Sequence, residues 1–188
     1  FMGYRREDGS AGVRNFLAVI PSVFCANKVA EKIAANIDDA VSLTHPVGCS
    51  QVGEDLEQTA RTLKNLATHP NIGGVLIVGL GCERFTPQEF YDAVKASGKP
   101  VEKVVIKEEC DSIKAIKAGT EKLYKLNEIV NSYQREEIDI SELTIGLECG
   151  GTDATSGIAA NPAIGKTSDI LIGEGGSSVF SETTELLG

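Results

Sequence analysis

Apolar residues along the chain alternate between short unbroken runs and longer stretches where they return every third or fourth position. The first run, Phe16 to Val23, predicts a strand, and the spacing of Val29, Ala30, Ile33, Ala34 and Ile37 predicts the helix after it. Val41 to Thr44 reads as a second strand. Beyond a glycine-bearing loop, Leu56, Ala60, Leu63 and Ala67 mark the apolar face of a helix with Glu54 and Asp55 in its first turn, where carboxylates favour the positive end of the helix dipole. Gly74 to Val78 is apolar and branched with no alternation, the pattern of a central parallel strand covered on both faces. Thr86-Pro87-Gln88-Glu89 combines a capping threonine, a proline at the first helical position and a glutamate three residues after the cap, predicting a helix to Ser97-Gly98. Val101 to Ile106 supplies a fourth strand, and a long helix runs from about Asp111 to Asn131.

Strands alternating with helices predict an α/β fold with an open, doubly wound parallel sheet, Rossmann- or flavodoxin-like. The predicted organisation is a parallel α/β domain over 1–131, a polar linker over 132–141, and a second, truncated α/β segment over 142–188 that either joins the first sheet or begins another. Within it the pattern predicts a strand at Leu143 to Leu147, a short helix near Asn161 to Lys166, a strand at Asp169 to Ile172, and Ser177 to Phe180. Leu76 to Cys82 and Leu143 to Cys149 echo one another, each reading strand, Gly-Leu, one residue, Cys. The opening Phe1-Met2 and the stop at Leu187-Gly188, just after the start of a helix, read as the ends of an excised piece.

Charge and cysteine usage narrow the partners. A net charge of −9 argues against nucleic acid and against anionic membrane surfaces. No apolar stretch approaches the roughly 20 residues of a spanning helix, and no secretory leader opens the chain, so a cytoplasmic location is expected. Five cysteines in such a chain point to free thiols or metal ligands rather than disulfides.

Ligands of open α/β sheets bind outside the carboxyl ends of the strands. Cys25, Cys49, Cys82, Cys110 and Cys149 each follow a predicted strand, and His45 stands four residues before Cys49. A lone cysteine in such a protein is usually a small buried hydrophobe. Five at one edge suit iron or zinc better, although the absence of Cys-x-x-Cys argues against structural zinc. His69, at a helix end before Pro70, reads as a C-terminal cation. In Cys149-Gly150-Gly151-Thr152-Asp153 the paired glycines permit close backbone approach to a ligand, and Thr152 and Asp153 can cap a following helix. Asn161 is expected outside the helical region because Pro162 follows it. Arg5, Arg6 and Arg14 precede the first strand, a local basic cluster able to clamp a carboxylate.

Taken in order, Gly3-Tyr4-Arg5-Arg6-Glu7-Asp8-Gly9 with Gly12-Val13-Arg14-Asn15, Thr44-His45 with Gly48-Cys49, Gly79-Leu80-Gly81-Cys82-Glu83, Cys149-Gly150-Gly151-Thr152-Asp153 with Ser156-Gly157, Asn161-Pro162-Ala163 and Ser181-Glu182 resemble the altronate and galactarate dehydratase family, which also includes a sulfolactate sulfo-lyase. The resemblance implies a cytoplasmic hydro-lyase that uses iron, as Fe2+ or an iron–sulfur cluster, to remove water from a small anionic sugar acid and give a 2-keto-3-deoxy acid. It implies metal roles for Cys49, Cys82 and Cys149, with His45 as a fourth ligand or acid–base group. Substrate would be held by Arg14, Gly150, Gly151, Thr152, Ser156 and Asn161, and oriented by Asp153. A separate amino-terminal domain or partner chain, a carboxyl-terminal remainder and a homo-oligomer also belong to that expectation. Lys107-Glu108-Glu109-Cys110 departs from the family pattern, as does Ser50 after Cys49. The competing readings are a carbon–sulfur lyase acting on sulfolactate and a non-catalytic α/β binding fragment. The lack of Gly-x-Gly-x-x-Gly after the first strand opposes a dinucleotide site.

Overall fold

The computed structural model describes residues 1–148, 150–151 and 153–182. The chain divides into two compact units, Tyr4–Arg135 and Phe1–Gly3 with the chain from Glu136 onward.

In the larger unit the order after β1 (Met2–Arg5) and β2 (Ala11–Gly12) is β3 (Phe16–Pro21), α1 (Asn27–Ala34), β4 (Ala40–Ser42), α2 (Gly53–Thr68), β5 (Ile72–Gly79), α3 (Pro87–Lys95), β6 (Val101–Val105) and α4 (Ser112–Ser132). Four strands form a parallel sheet in the order β4-β3-β5-β6. The alternation of side chains along each strand sorts the core into two layers. Leu17 and Val19 of β3 and Leu76 and Val78 of β5 pack with Ile33 of α1 and with Leu123, Leu126 and Val130 of α4. Ala18, Ile20, Val75 and Ile77 face the other way, onto Leu63 and Ala67 of α2 and Phe90 and Val94 of α3. The sheet is therefore doubly wound, as crossovers of one hand require when the strand order reverses between β3 and β5.

β5 is buried at every position, which explains its unbroken apolar run. Thr86 and Glu89 form the expected reciprocal cap, Glu89 N donating to Thr86 Oγ1 and Thr86 N to Glu89 Oε2. Asp111 caps α4 by accepting from the amides of Ile113 and Lys114.

The arginines before β3 lie at the amino end of the sheet. Tyr4-Arg5 pairs antiparallel with Ala11-Gly12. The Arg6 guanidinium is spent internally: it donates to Pro70 O at 2.7 Å, Asn15 Oδ1 at 2.9 Å and Arg14 O at 3.0 Å, and lies over the rings of Tyr4 and Tyr133. His69 is not the helix-end cation its position suggested. Its Nδ1 accepts the Asn71 amide hydrogen, and burial followed by the charge of Lys99 lowers its pKa.

Lys99 straps the same edge, its Nζ donating to the carbonyls of His69 at 2.8 Å and Ile72 at 2.6 Å. Burial, and then repulsion from Arg6, lower its pKa to about 8, with Asp8 acting in the opposite sense. Above that value the native state binds fewer protons than the unfolded chain, until the unfolded lysine also titrates. The group's contribution to stability therefore rises with pH in that window, and its charge penalty is fully present below it. Wild type is expected to gain urea resistance relative to Lys99→Met between pH 8 and 10; a constant difference contradicts this.

In the smaller unit Met2–Gly3 pairs antiparallel with β7 (Glu136–Glu137), and a 3-10 turn covers Ile140–Glu142. β8 (Thr144–Leu147) pairs in parallel with β9 (Ser177–Phe180) as a separate two-stranded sheet. The segment over 132–141 thus contains the end of α4, a strand and the start of a turn. Between β8 and β9 lie a π-helical turn (Ser156–Ala160) and α5 (Asn161–Gly173).

Two expectations fail here. Asp169 to Ile172 is the end of α5, not a strand: Ser168 and Leu171, three apart, are its buried face, and Ser168 Oγ meets Ser178 Oγ of β9 at 2.7 Å. Asn161 is helical, with φ −63 and ψ −45. Its amide still bonds to Ser156 O, so Pro162, which lacks an N–H, falls where the ladder changes from π to α spacing and little is lost.

Candidate functional site at the carboxyl edge of the parallel sheet

The loops leaving the four parallel strands carry Cys25, Cys49, Cys82 and Cys110, all free and exposed. None is a buried packing residue. Cys25 lies in a 3-10 turn (Phe24–Ala26) leading into α1. Cys49 follows Gly48, whose φ of +99 favours glycine and whose added Cβ would stand 3.0 Å from both Ser22 O and Val23 Cα. Gly48 therefore lets the β4 exit lie directly against the β3 exit. Ser50 also adopts positive φ, as does Cys110.

Backbone and side-chain bonds lace these loops together. Phe24 N donates to Val47 O at 2.9 Å, and Asn27 Nδ2 donates to His45 O at 2.9 Å. His45 Nε2 lies 2.8 Å from Pro21 O, an acceptor, while Nδ1 receives Val47 N–H at 3.3 Å, which assigns the Nε2–H tautomer. Both ring nitrogens of His45 are thus occupied by backbone, and in this arrangement the imidazole orients the Cys49 loop. Asn27 Oδ1, buried beside it, has no hydrogen-bond partner among the described residues. On the other flank, Ile106 N donates to Gly79 O and Lys107 N to Leu80 O, fastening the β6 exit to that of β5.

Glu83 occupies the middle of this edge, where the strand order reverses. Its Oε1 accepts from Ser22 Oγ at 2.6 Å and Leu80 N at 3.0 Å, and its Oε2 from Gly81 N at 2.6 Å and Cys82 N at 2.8 Å. Burial pushes its carboxyl upward, but the Ser22 hydroxyl and the backbone amides more than offset this, and the net pKa is lowered. The sequence reading included Glu83 in the family-like segment Gly79-Leu80-Gly81-Cys82-Glu83 but gave it no role, and it gave none to Ser22.

The remaining predicted residues lie elsewhere. Arg14 is exposed at the amino end of β3, so the six residues of that strand, about 20 Å, separate it from the cysteine loops. The single chain does not bring Arg14 to Cys49 or Cys82. In the smaller unit Gly150 and Gly151 are exposed, and added Cβ atoms there would meet nothing within 4 Å. Asp153 accepts from Thr155 N at 2.8 Å, Thr155 Oγ1 at 2.6 Å and Ser156 N at 3.2 Å, and these bonds lower its pKa, the Thr155 hydroxyl first. Ser156 Oγ lies 3.4 Å from Gly151 O. This exposed turn caps the following helix, as Asp153's position suggested. Asn161 is exposed at the start of α5. Cys149 and Thr152 lie outside the described residues.

Free, exposed thiols are the donor class that iron accepts, and Cys49 and Cys82 are not committed to disulfides. Among the described residues no group of three His, Cys, Asp or Glu gathers as a ligand set. The fit to iron is therefore one of donor chemistry. Among the described residues, no helix is long and apolar enough to cross a membrane.

Comparison with known proteins agrees with this layout. The family profile for the second domain of D-galactarate dehydratase/altronate hydrolase matches residues 3–131. The chain belongs to the D-galactarate dehydratase/altronate hydrolase family. The family's C-terminal domain profile, described as D-galactarate/altronate dehydratase, matches residues 140–188, so the boundary between the two matches falls near the structural one. The chain is 42% identical over 198 residues to an altronate dehydratase of Bacillus subtilis, covering 100% of this chain and 39% of that protein. It is 38% identical to an altronate dehydratase of Escherichia coli, covering 98% of the chain and 39% of that protein. It is also 38% identical to the (2R)-sulfolactate sulfo-lyase subunit beta of Chromohalobacter salexigens, covering 100% of the chain and 48% of that protein. The chain spans less than half the length of these curated relatives.

Proposed function

We propose that this chain is part of a hydro-lyase that removes water from a hexonate or hexarate, such as altronate or galactarate, to give a 2-keto-3-deoxy sugar acid. The observation that carries the reading is similarity along the whole chain to proteins named altronate dehydratase. The four exposed thiols on the ligand-binding edge of an open α/β sheet support it.

Dehydration next to a carboxylate requires removal of a weakly acidic α-proton, stabilisation of the resulting enediolate and assistance to the departing β-hydroxyl. Iron held by Cys49 and Cys82 would supply Lewis acidity toward substrate oxygen. The chain's own groups do the rest. His45 is the proposed acid–base group, and to exchange a proton at Nδ1 it releases Val47 N–H, the longer of its two bonds. Asp153, whose pKa is lowered, is a carboxylate at neutral pH and is proposed to orient a substrate hydroxyl as an acceptor. Gly150, Gly151, Ser156 and Asn161, all on exposed or half-exposed surface of the smaller unit, are proposed to bind substrate.

A second reading, carbon–sulfur cleavage of sulfolactate, rests on the 38% identity to a sulfo-lyase subunit. The same α-proton removal would then expel sulfite. The native-length protein, assayed without oxygen on altronate, galactarate and sulfolactate, is expected to release keto acid from one of the sugar acids. Sulfite release in its place establishes the second reading, and neither product contradicts both.

A further inference from the structure

Among the described residues Glu83 is the only charged side chain in the interior, 9% exposed, while its neighbour Cys82 is exposed. Burying a carboxylate is costly unless its oxygens are bonded. Each oxygen of Glu83 accepts two bonds, three of the four from the successive amides of Leu80, Gly81 and Cys82. Such a run of converging N–H groups makes a concave anion cradle. Here the cradle is filled from within the chain. Gly81, at φ +102, permits the turn that aims the amides inward, with an added Cβ 3.1 Å from Val105 Cγ1. The fourth bond, from Ser22 Oγ, reaches across from β3 and joins the two strand exits that border the reversal in strand order.

We infer that Glu83 is the positioning residue for Cys82, clamping that residue's backbone amide at the reversal point and so fixing where its thiol stands. This rests on the reading of Cys82 as a metal-binding thiolate, but its test does not. Glu83→Gln keeps the shape and turns an amide NH2 toward donors that need an acceptor, leaving N–H groups unpaired. Glu83→Asp keeps the charge and falls one methylene short.

The native-length protein, stripped of metal by chelation, is alkylated with iodoacetamide, and each thiol's rate is read by peptide mass spectrometry. In Glu83→Gln the rate at Cys82 is expected to rise about threefold or more relative to Cys25 and Cys110 in the same molecule. Loss of the clamp on the Cys82 amide releases its thiol from a fixed place and lets the reagent reach it more freely. Glu83→Asp is expected to fall between the two. A general structural role moves all thiols together, and either that result or an unchanged Cys82 ratio overturns the inference. Should Glu83→Gln fail to fold, Ser22→Ala removes one of the four bonds and is read the same way, with a smaller rise expected and an unchanged ratio again overturning the inference. Cobalt(II) titration of wild type separates the two claims: no cobalt–thiolate absorption removes the metal reading, and the alkylation ratio alone then decides the role of Glu83.

Discussion

Gly79→Ala is expected to cost about 3 kcal/mol of stability, near the upper end for overpacking, and to disturb the Cys82 loop as well as the core. Gly79 is the last residue of β5, and an added Cβ there would overlap Pro87 Cγ and lie 2.9 Å from both Pro87 Cβ and Glu83 Oε1. The proline ring has no rotamer by which to withdraw, and Pro87 opens α3 inside a reciprocal cap. Relief therefore requires α3 to shift from the sheet, with Phe90 and Val94 behind it. Urea denaturation reads the loss, and the Cys82 alkylation rate reads the displaced loop. Stability within about 0.5 kcal/mol of wild type would show that the helix moves freely, contrary to the packing described.

Much of the larger unit is legible in the sequence because burial on both faces leaves a local signature. β5 is buried throughout and reads as an unbroken apolar run, and α3 carries its own start signal in Thr86-Pro87-Gln88-Glu89. The short strands β1, β2 and β7 are illegible for the opposite reason. They are held by pairing, Met2–Gly3 with Glu136–Glu137 from the far end of the sequence among them, and have no apolar period of their own. Asp169 to Ile172 misleads because four apolar or mixed residues fit a strand or a helix end equally, and only the spacing of Ser168 and Leu171 decides.

The site was legible in one dimension. Strand ends located the cysteines, since the carboxyl edge is fixed by the crossover topology. Which group binds which was not legible, because it depends on contacts between loops far apart in sequence. His45 stood out as one of two histidines, yet its ring is tied to Pro21 and Val47. Glu83 closed a family-like segment without a role of its own, and it is buried at the centre. Arg14, adjacent to β3 in sequence, is adjacent to its wrong end.

The second large effect concerns the proposed iron. A thiolate lost from an iron site removes both a strong bond and the charge that selects the metal, and no neighbouring described residue stands in a ligand group ready to replace it. Cys82→Ala and Cys49→Ala are therefore each expected to abolish iron retention in the native-length protein, while Cys25→Ala and Cys110→Ala leave it intact. Backbone geometry gives no reason for either active-edge substitution to unfold the chain, since both thiols are exposed.

Iron content after purification without oxygen, measured for wild type and these four variants, decides whether Cys49 and Cys82 hold the metal. Iron is expected in wild type, in Cys25→Ala and in Cys110→Ala, and is expected to be lost in Cys49→Ala and Cys82→Ala. No iron in any of the five proteins, or equal iron in all of them, would contradict that expectation.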